Sequence, residues 1–307
     1  MAVVGCRIHS EKLSRDGRIG IRRDQACMGT TGSAIHSLVR RAARPYVAGP
    51  AMEDARAVCE KLRRDGISST VCYWDAYADH PGIVSQAYVG LLSQMFTCGH
   101  SDCYLSVKAP ALNFDPECVR KVIEAAQLLN AIVHFDALAI DTVERTFELI
   151  ASTSRIYPKL GCTLPSRWRR SIADAERSIE LGLRVRVVKG EWKAPDEIDE
   201  IDPREGFLQI VERLAGRATH VAVATHNPMM ARLSLRRLKD AGTPCELELL
   251  YGLPQQPLLR IAKDFGVRVR MYVPYGHTGL PYRLRNMTRN PRIIGWFLQD
   301  LLRGNSG

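Results

Sequence analysis

No apolar run in this chain approaches the roughly 20 residues that a membrane helix needs, so no integral membrane segment is expected. The opening stretch, MAVVGCRIHSEKLSRDG, is interrupted by Arg7, His9, Glu11 and Lys12. A secretory leader needs an unbroken apolar centre, so the expected address is the cytoplasm, with peripheral membrane contact left open. A disulfide framework is also missing. The nine cysteines are an odd number, scattered from Cys6 to Cys245, and they read as reduced thiols. The run Cys98-Gly-His-Ser-Asp-Cys103 offers at most three soft ligands at a spacing foreign to common zinc sites. It reads as a loop entering a strand, and no metal is expected. The chain lacks a Ser-His-Asp order and a histidine cluster, and no Gly-rich dinucleotide fingerprint follows its first β-rich run. Positive charge is in excess. The net charge is +10, and residues 1–50 hold nine Arg/Lys against three Asp/Glu. This basic arm carries no recognition motif and no aromatics interleaved with its arginines, so no nucleic-acid partner is expected.

What the chain does have is alternation. Its 307 residues, 46% hydrophobic and 25% charged, suffice for a large globular α/β domain. From residue 67 onward, short β-rich runs recur at 68–74, 103–108, 131–136, 160–164, 184–189, 220–225, 245–250 and 267–273. Helical periodicity fills the stretches between and after them, at 82–96, 116–128, 141–155, 167–181, 204–215, 228–241, 255–264 and 281–302. Eight strand-helix units predict a parallel sheet closed into a (β/α)8 barrel of the TIM type; a doubly wound open sheet usually has fewer strands. A helix over 51–64 leads into the first strand. The expected organisation is an N-terminal basic, helical arm over 1–50 and a barrel over 51–307. The run Arg167-Trp168-Arg169-Arg170 reads as the solvated first turn of a helix.

Chemistry in such barrels gathers at the C-terminal strand ends. Those ends hold Lys108, Asp136, Arg186, Lys189, Thr225-His226-Asn227, Glu248, Tyr251 and Tyr272. After them the stretch YVPYGHTGLPYRLRN, residues 272–286, opens a helix at Pro281 that carries Tyr282 and Arg285 three residues apart, on one face. A mouth rich in Lys108, Arg186, Lys189 and Arg285, with Asp136 as counter-charge, suits an anionic cofactor and a small anionic substrate. Arginine is favoured for carboxylates because its planar fork donates two parallel bonds. Glu246 and Glu248 alternate on one strand and share a face, so each needs a partner if that face is interior.

Taken in order, Arg44-Pro-Tyr-Val-Ala-Gly49, LSVK (105–108), HFD (134–136), RVVKGEW (186–192), ATHNP (224–228), LLYG (249–252) and YVPYG…PYRLRN (272–286) resemble the proline dehydrogenase family from about residue 35 to the C-terminus. The resemblance implies a barrel that holds FAD and oxidises the C–N bond of L-proline by hydride transfer to the flavin, with a quinone or oxygen as possible electron acceptor. It implies substrate-side roles for Lys108, Asp136, Tyr272, Tyr282, Arg285 and Asn286. It implies cofactor contacts from Asp136, Arg186, Val188, Lys189, Gly190, Trp192, Thr225, His226, Asn227, Glu248, Leu250 and Tyr251. Of these, Arg186 resembles the arginine near the reactive edge of the flavin. Arg285 resembles the first of two adjacent arginines that clamp the substrate carboxylate.

The chain departs from the family's pattern on the substrate side. Asn286 stands where the second clamping arginine is expected, Arg289 where a glutamate is, and Pro165 and Glu248 where glutamines are. The first strand ends in CYWDA (72–76) rather than an acidic DLLGE. Losing a charge-assisted contact typically costs a few kcal/mol. The expected substrate is therefore proline or a proline-like, cyclic or N-substituted amino acid. The alternative is a catalytically altered flavin-binding barrel that serves as a binding or partner protein.

Overall fold

The computed structural model describes residues 47–276 except 77, 78, 98, 100 and 101. Helix α1 (Met52–Arg64) precedes β1 (Ser68–Trp74), and the units then follow in strict order. They are α2 (Pro81–Thr97), β2 (Cys103–Val107), α3 (Pro116–Leu129), β3 (Ile132–Phe135), α4 (Val143–Ser154), β4 (Leu160–Pro165), α5 (Ser171–Glu180), β5 (Arg184–Val188), α6 (Pro203–Leu214), β6 (His220–Ala224), α7 (Pro228–Asp240), β7 (Cys245–Leu250), α8 (Gln256–Phe265) and β8 (Arg268–Gly276). All eight strands are parallel, each pairs with the next in sequence, and β8 closes on β1 from Ser68↔Arg270 to Trp74↔Gly276. The expected (β/α)8 barrel is the fold. The helix anticipated over 281–302 and residues 1–46 of the basic arm lie outside the described residues.

Local chemistry explains the boundaries. Asp115, Asp202 and Asn227 cap α3, α6 and α7 by accepting from the first free backbone N–H groups, each followed by proline at the first helical position. Left-handed Asn130 and Gly266 end α3 and α8. Strand β8 runs past the expected end to Gly276, because residues just before α1 supply it with partners. The Ala48 amide donates to the Pro274 carbonyl at 2.8 Å, and the Gly276 amide donates to the Gly49 carbonyl at 2.9 Å.

One local expectation is overturned. The run at 167–170 is not a solvated helical turn: α5 starts only at Ser171, and Trp168 is 1% exposed. Its indole N–H donates to the Trp192 carbonyl at 2.8 Å, while Arg167 and Arg170 pair with Glu200 and Asp174. A large aromatic among arginines is buried here because the loop after β5 folds back over it.

The strands divide their residues between two environments. Val71, Leu105, Val107, Val133, Leu164, Val185, Val187, Val221, Val223, Leu247 and Met271 belong to the hydrophobic core shared with the surrounding helices. The alternate positions are polar and equally buried: Ser106, His134, Arg186, Glu246, Glu248 and Arg270. Arg186 of β5 bonds to Glu248 of β7 and to Asp136 just after β3, strands that are not its neighbours, so those bonds cross the barrel interior. Buried charges must be paired to be tolerated. Space is made for them in places by glycine. A Cβ on Gly161 would lie 2.3 Å from His134 Nδ1 and 2.8 Å from the Arg184 carbonyl oxygen.

Candidate active site at the C-terminal mouth

Asp136 is the hub of the C-terminal end of the barrel. Its Oδ1 accepts from Ser106 Oγ and from Arg186 Nη1, both at 2.7 Å, and its Oδ2 accepts from Tyr272 Oη at 2.8 Å. The Cys72 thiol lies 3.6 Å from the same Oδ2. Side chains from β2, β5 and β8 thus meet at one carboxylate that follows β3. Arg186 continues the network: its Nε donates to Glu248 Oε2 at 2.9 Å, and its guanidinium stands 5.1 Å from the Tyr272 ring centre. Burial works against the Arg186 charge, but Glu248 and Asp136 more than offset it and hold the guanidinium firmly protonated. Tyr272 stays a neutral donor, its phenol pushed well above its ordinary pKa by burial and then by Asp136. Burial pushes the Cys72 thiol up to about 12.

Lys108 follows β2, where the Tyr88 hydroxyl from α2 accepts its backbone N–H at 3.1 Å. Its ammonium donates to Asp75 Oδ1 at 3.0 Å and lies 5.8 Å from the Trp74 ring centre. Burial lowers the Lys108 pKa, yet its negative surroundings more than compensate, and the pKa ends above its ordinary value. Cys72, then Asp75 and Asp136, are the groups that raise it. Asp75 itself is steadied by its neighbours: Asp79 accepts from the Ala76 amide and from the Tyr73 hydroxyl, bracing the β1–α2 loop.

The remaining cofactor-side residues stand at the ends of β5, β6 and β7. Val188 ends β5, followed by Lys189 and Gly190, whose φ of +86° and close approach to Pro165 suit glycine alone. Trp192 lies beyond, with its carbonyl bonded to Trp168. After β6, Thr225 Oγ1 accepts the Asn227 amide, and the Asn227 side chain caps α7. His226 Nε2 accepts the Leu250 amide at 2.9 Å, which assigns the proton of a neutral ring to Nδ1 and ties β6 to the end of β7. The Tyr251 amide donates to the Tyr272 carbonyl, joining β7 to β8. Pro165 pairs with Val188 in a stretch where the β3–β4 ladder has already ended at Cys162, so its missing N–H costs no ladder bond there.

Tyr282, Arg285 and Asn286 lie outside the described residues, so the anticipated carboxylate clamp does too. In the described part of the mouth Lys108 is matched by Asp75, and Arg186 by both Asp136 and Glu248. The sequence reading missed Asp75, Ser106 and Cys72. Ser106 was within reach, since it sits two residues before Lys108 and shares its face of β2. Asp75 follows a strand end and has no period to reveal it.

The donor set fits a large anionic, ring-bearing cofactor. Arg186 is oriented from two sides, Gly190 lets backbone approach closely, and Glu248 Oε1 is buried without a hydrogen-bond partner among the described residues. An N–H donor entering from the mouth would satisfy that oxygen.

No family model matches the chain. Curated relatives do. Proline dehydrogenase 1 of Bacillus subtilis subsp. natto is 24% identical over 278 residues, covering 86% of this chain and 92% of the relative. Proline dehydrogenase of Deinococcus radiodurans is 24% identical over 282 residues, covering 85% and 90%. Among solved structures, proline utilization A from Bdellovibrio bacteriovorus, inactivated by N-propargylglycine, superposes with a TM-score of 0.71 at 18% identity. It covers 80% of this chain and 32% of that one. Proline utilization A from Corynebacterium freiburgense gives a TM-score of 0.66 at 13% identity over 88% and 33%. The chain spans about a third of those two proteins, and the likeness to them is one of fold.

Proposed function

We propose, from the premise that this chain is a divergent member of the proline dehydrogenase family, that it is an FAD-dependent enzyme oxidising the C–N bond of proline or of a closely related cyclic or N-substituted amino acid. The observation that carries this reading is the cluster in which Asp136 binds Arg186, Ser106 and Tyr272 at the barrel mouth, with Lys108 beside it. FAD, when bound, would take up the hydrogen and electron pair from the substrate carbon next to nitrogen. Arg186, held at the mouth by Asp136 and Glu248, would stabilise the negative charge that develops on the ring. Its two carboxylate partners fix its orientation before anything binds, so little reorganisation is left for the reaction.

The substrate nitrogen must be neutral to release electrons. Lys108 and Arg186 disfavour a neighbouring ammonium, while Asp75, Asp136 and Glu248 oppose them. Asp136 already accepts from three strong donors, which limits its pull on a substrate ammonium. Tyr272 and Trp74 supply aromatic walls against an apolar ring. Arg285 and Asn286 remain the proposed carboxylate contacts. One charged fork in place of two favours a substrate held more by its ring than by its carboxylate. The basic, helical stretch 1–50 is proposed as an arm preceding the barrel, and the electron acceptor is proposed to be a quinone or oxygen. Purified protein should be yellow, and anaerobic L-proline should bleach the flavin band. A yellow protein inert to proline and to a panel of cyclic and N-methyl amino acids would instead favour a binding role.

A further inference from the structure

A cavity of about 520 Å³ lies at the opposite, N-terminal end of the barrel. It opens between the starts of β5 to β8, and the turns before β7 and β8 form its rim. Its walls carry Arg184, Lys239, Arg268, His220 and Glu246. Glu246 is already engaged, accepting from the fully buried Arg270 Nε at 2.7 Å, and Arg268 pairs with Asp102 at 2.7 Å. Arg184 has no carboxylate within ion-pair distance among the described residues. Its Nη2 donates to the neutral Tyr104 hydroxyl at 2.5 Å, and its Nε is buried without a hydrogen-bond partner there. Lys239 likewise has no ion pair among the described residues. Four cations thus surround two carboxylates at this end.

His220 reports the resulting field. Burial, followed by Arg184, Arg270 and Arg268, pushes its imidazole down to about 3. The ring is therefore neutral at physiological pH and can donate one N–H to a ligand. An unpaired guanidinium and an orphaned N–H each carry a cost that an entering oxyanion would remove. Arginine's planar fork suits carboxylate and phosphate alike. The volume leaves room for a carbon skeleton beyond the anionic group.

We propose that this cavity is a second binding site, for a small molecule bearing an oxyanion, phosphate or carboxylate, with Arg184 as its principal ligand and Lys239 as a flanking charge. The site is separate from the mouth and does not depend on the catalytic reading. Calorimetric titration of the full chain with inorganic phosphate, and in a second arm with acetate, tests it at low ionic strength. Saturable binding is expected, with the tighter arm identifying the class of anion. Arg184→Gln should weaken it at least tenfold. Lys239→Gln, at an exposed helix position that bears no packing load, should weaken it severalfold and keeps the test open if the Arg184 variant folds poorly. The His220 ring resonances should titrate at higher pH when the anion is bound. Absence of saturable binding in both arms, or binding unchanged in both variants, would overturn the proposal.

Discussion

The two ends of this barrel are built from the same parts, paired to different degrees. At the C-terminal mouth one guanidinium, Arg186, is shared by Asp136 and Glu248, and Lys108 is matched by Asp75. At the N-terminal end Arg270 meets Glu246, Arg268 meets Asp102, and Arg184 and Lys239 have no carboxylate partner among the described residues. At the mouth Lys108 and Arg186 are therefore each held in a fixed direction by carboxylates, as a site that must orient groups before binding requires. The lower end is left with charge to spare. A buried arginine alone does not mark a functional site; the partners around it decide whether it positions or attracts.

The most damaging way to break the upper half of this contrast is Arg186→Met. It strands two buried carboxylates, and leaving buried charge unpaired costs about 3–5 kcal/mol. Urea unfolding should show that loss, and the variant should retain little flavin. The lower half is probed by acid. The folded His220 pKa is depressed to about 3, so an unfolded chain takes up this proton first, near its ordinary pKa of about 6.5. The stability this neutral ring contributes is present above that ordinary value and is lost as pH falls towards about 3, on the order of 5 kcal/mol in all. His134, pushed down by burial and then by Arg186 and Arg184, adds to the same acid limb. Melting temperature against pH should flatten below about 6.5 in His220→Gln.

Gly161→Ala tests the layer between the two ends. Its Cβ would collide with the His134 ring and the Arg184 carbonyl, and overpacking of this kind costs about 1–3 kcal/mol by denaturant unfolding. Asp75→Asn is milder, at about 1–2 kcal/mol for a partly exposed charged hydrogen bond. It removes one of the groups that raise the Lys108 pKa. The alkaline limb of the proline-driven bleaching rate should therefore move to lower pH. An unmoved limb would detach Lys108 from the reaction.

The fold was legible because period-2 and period-3.6 patterns alternate with little interruption. β1 and β7 fall on the runs SSTVCYW and CELELL, and most other ends differ by a residue or two. What pattern could not supply was pairing across the barrel. Lys108, Asp136, Arg186 and Tyr272 were recognisable as strand-end residues. That Arg186 reaches β3 and β7 together depends on barrel closure, which no local window contains. Asp75 was hidden in a loop, and Trp168 was misread because neighbouring arginines imitate a solvated surface. The cationic cavity at the lower end draws its walls from Arg184, Lys239 and Arg268, which are far apart in the chain.

Anaerobic titration of the flavin-loaded protein with L-proline addresses the central claim most directly. Loss of the flavin absorption band at saturating proline, abolished by Arg186→Lys or Asp136→Asn variants that still bind flavin, is the expected result. A band that persists with proline and with every cyclic or N-methyl analogue, in protein that holds its flavin, would contradict it.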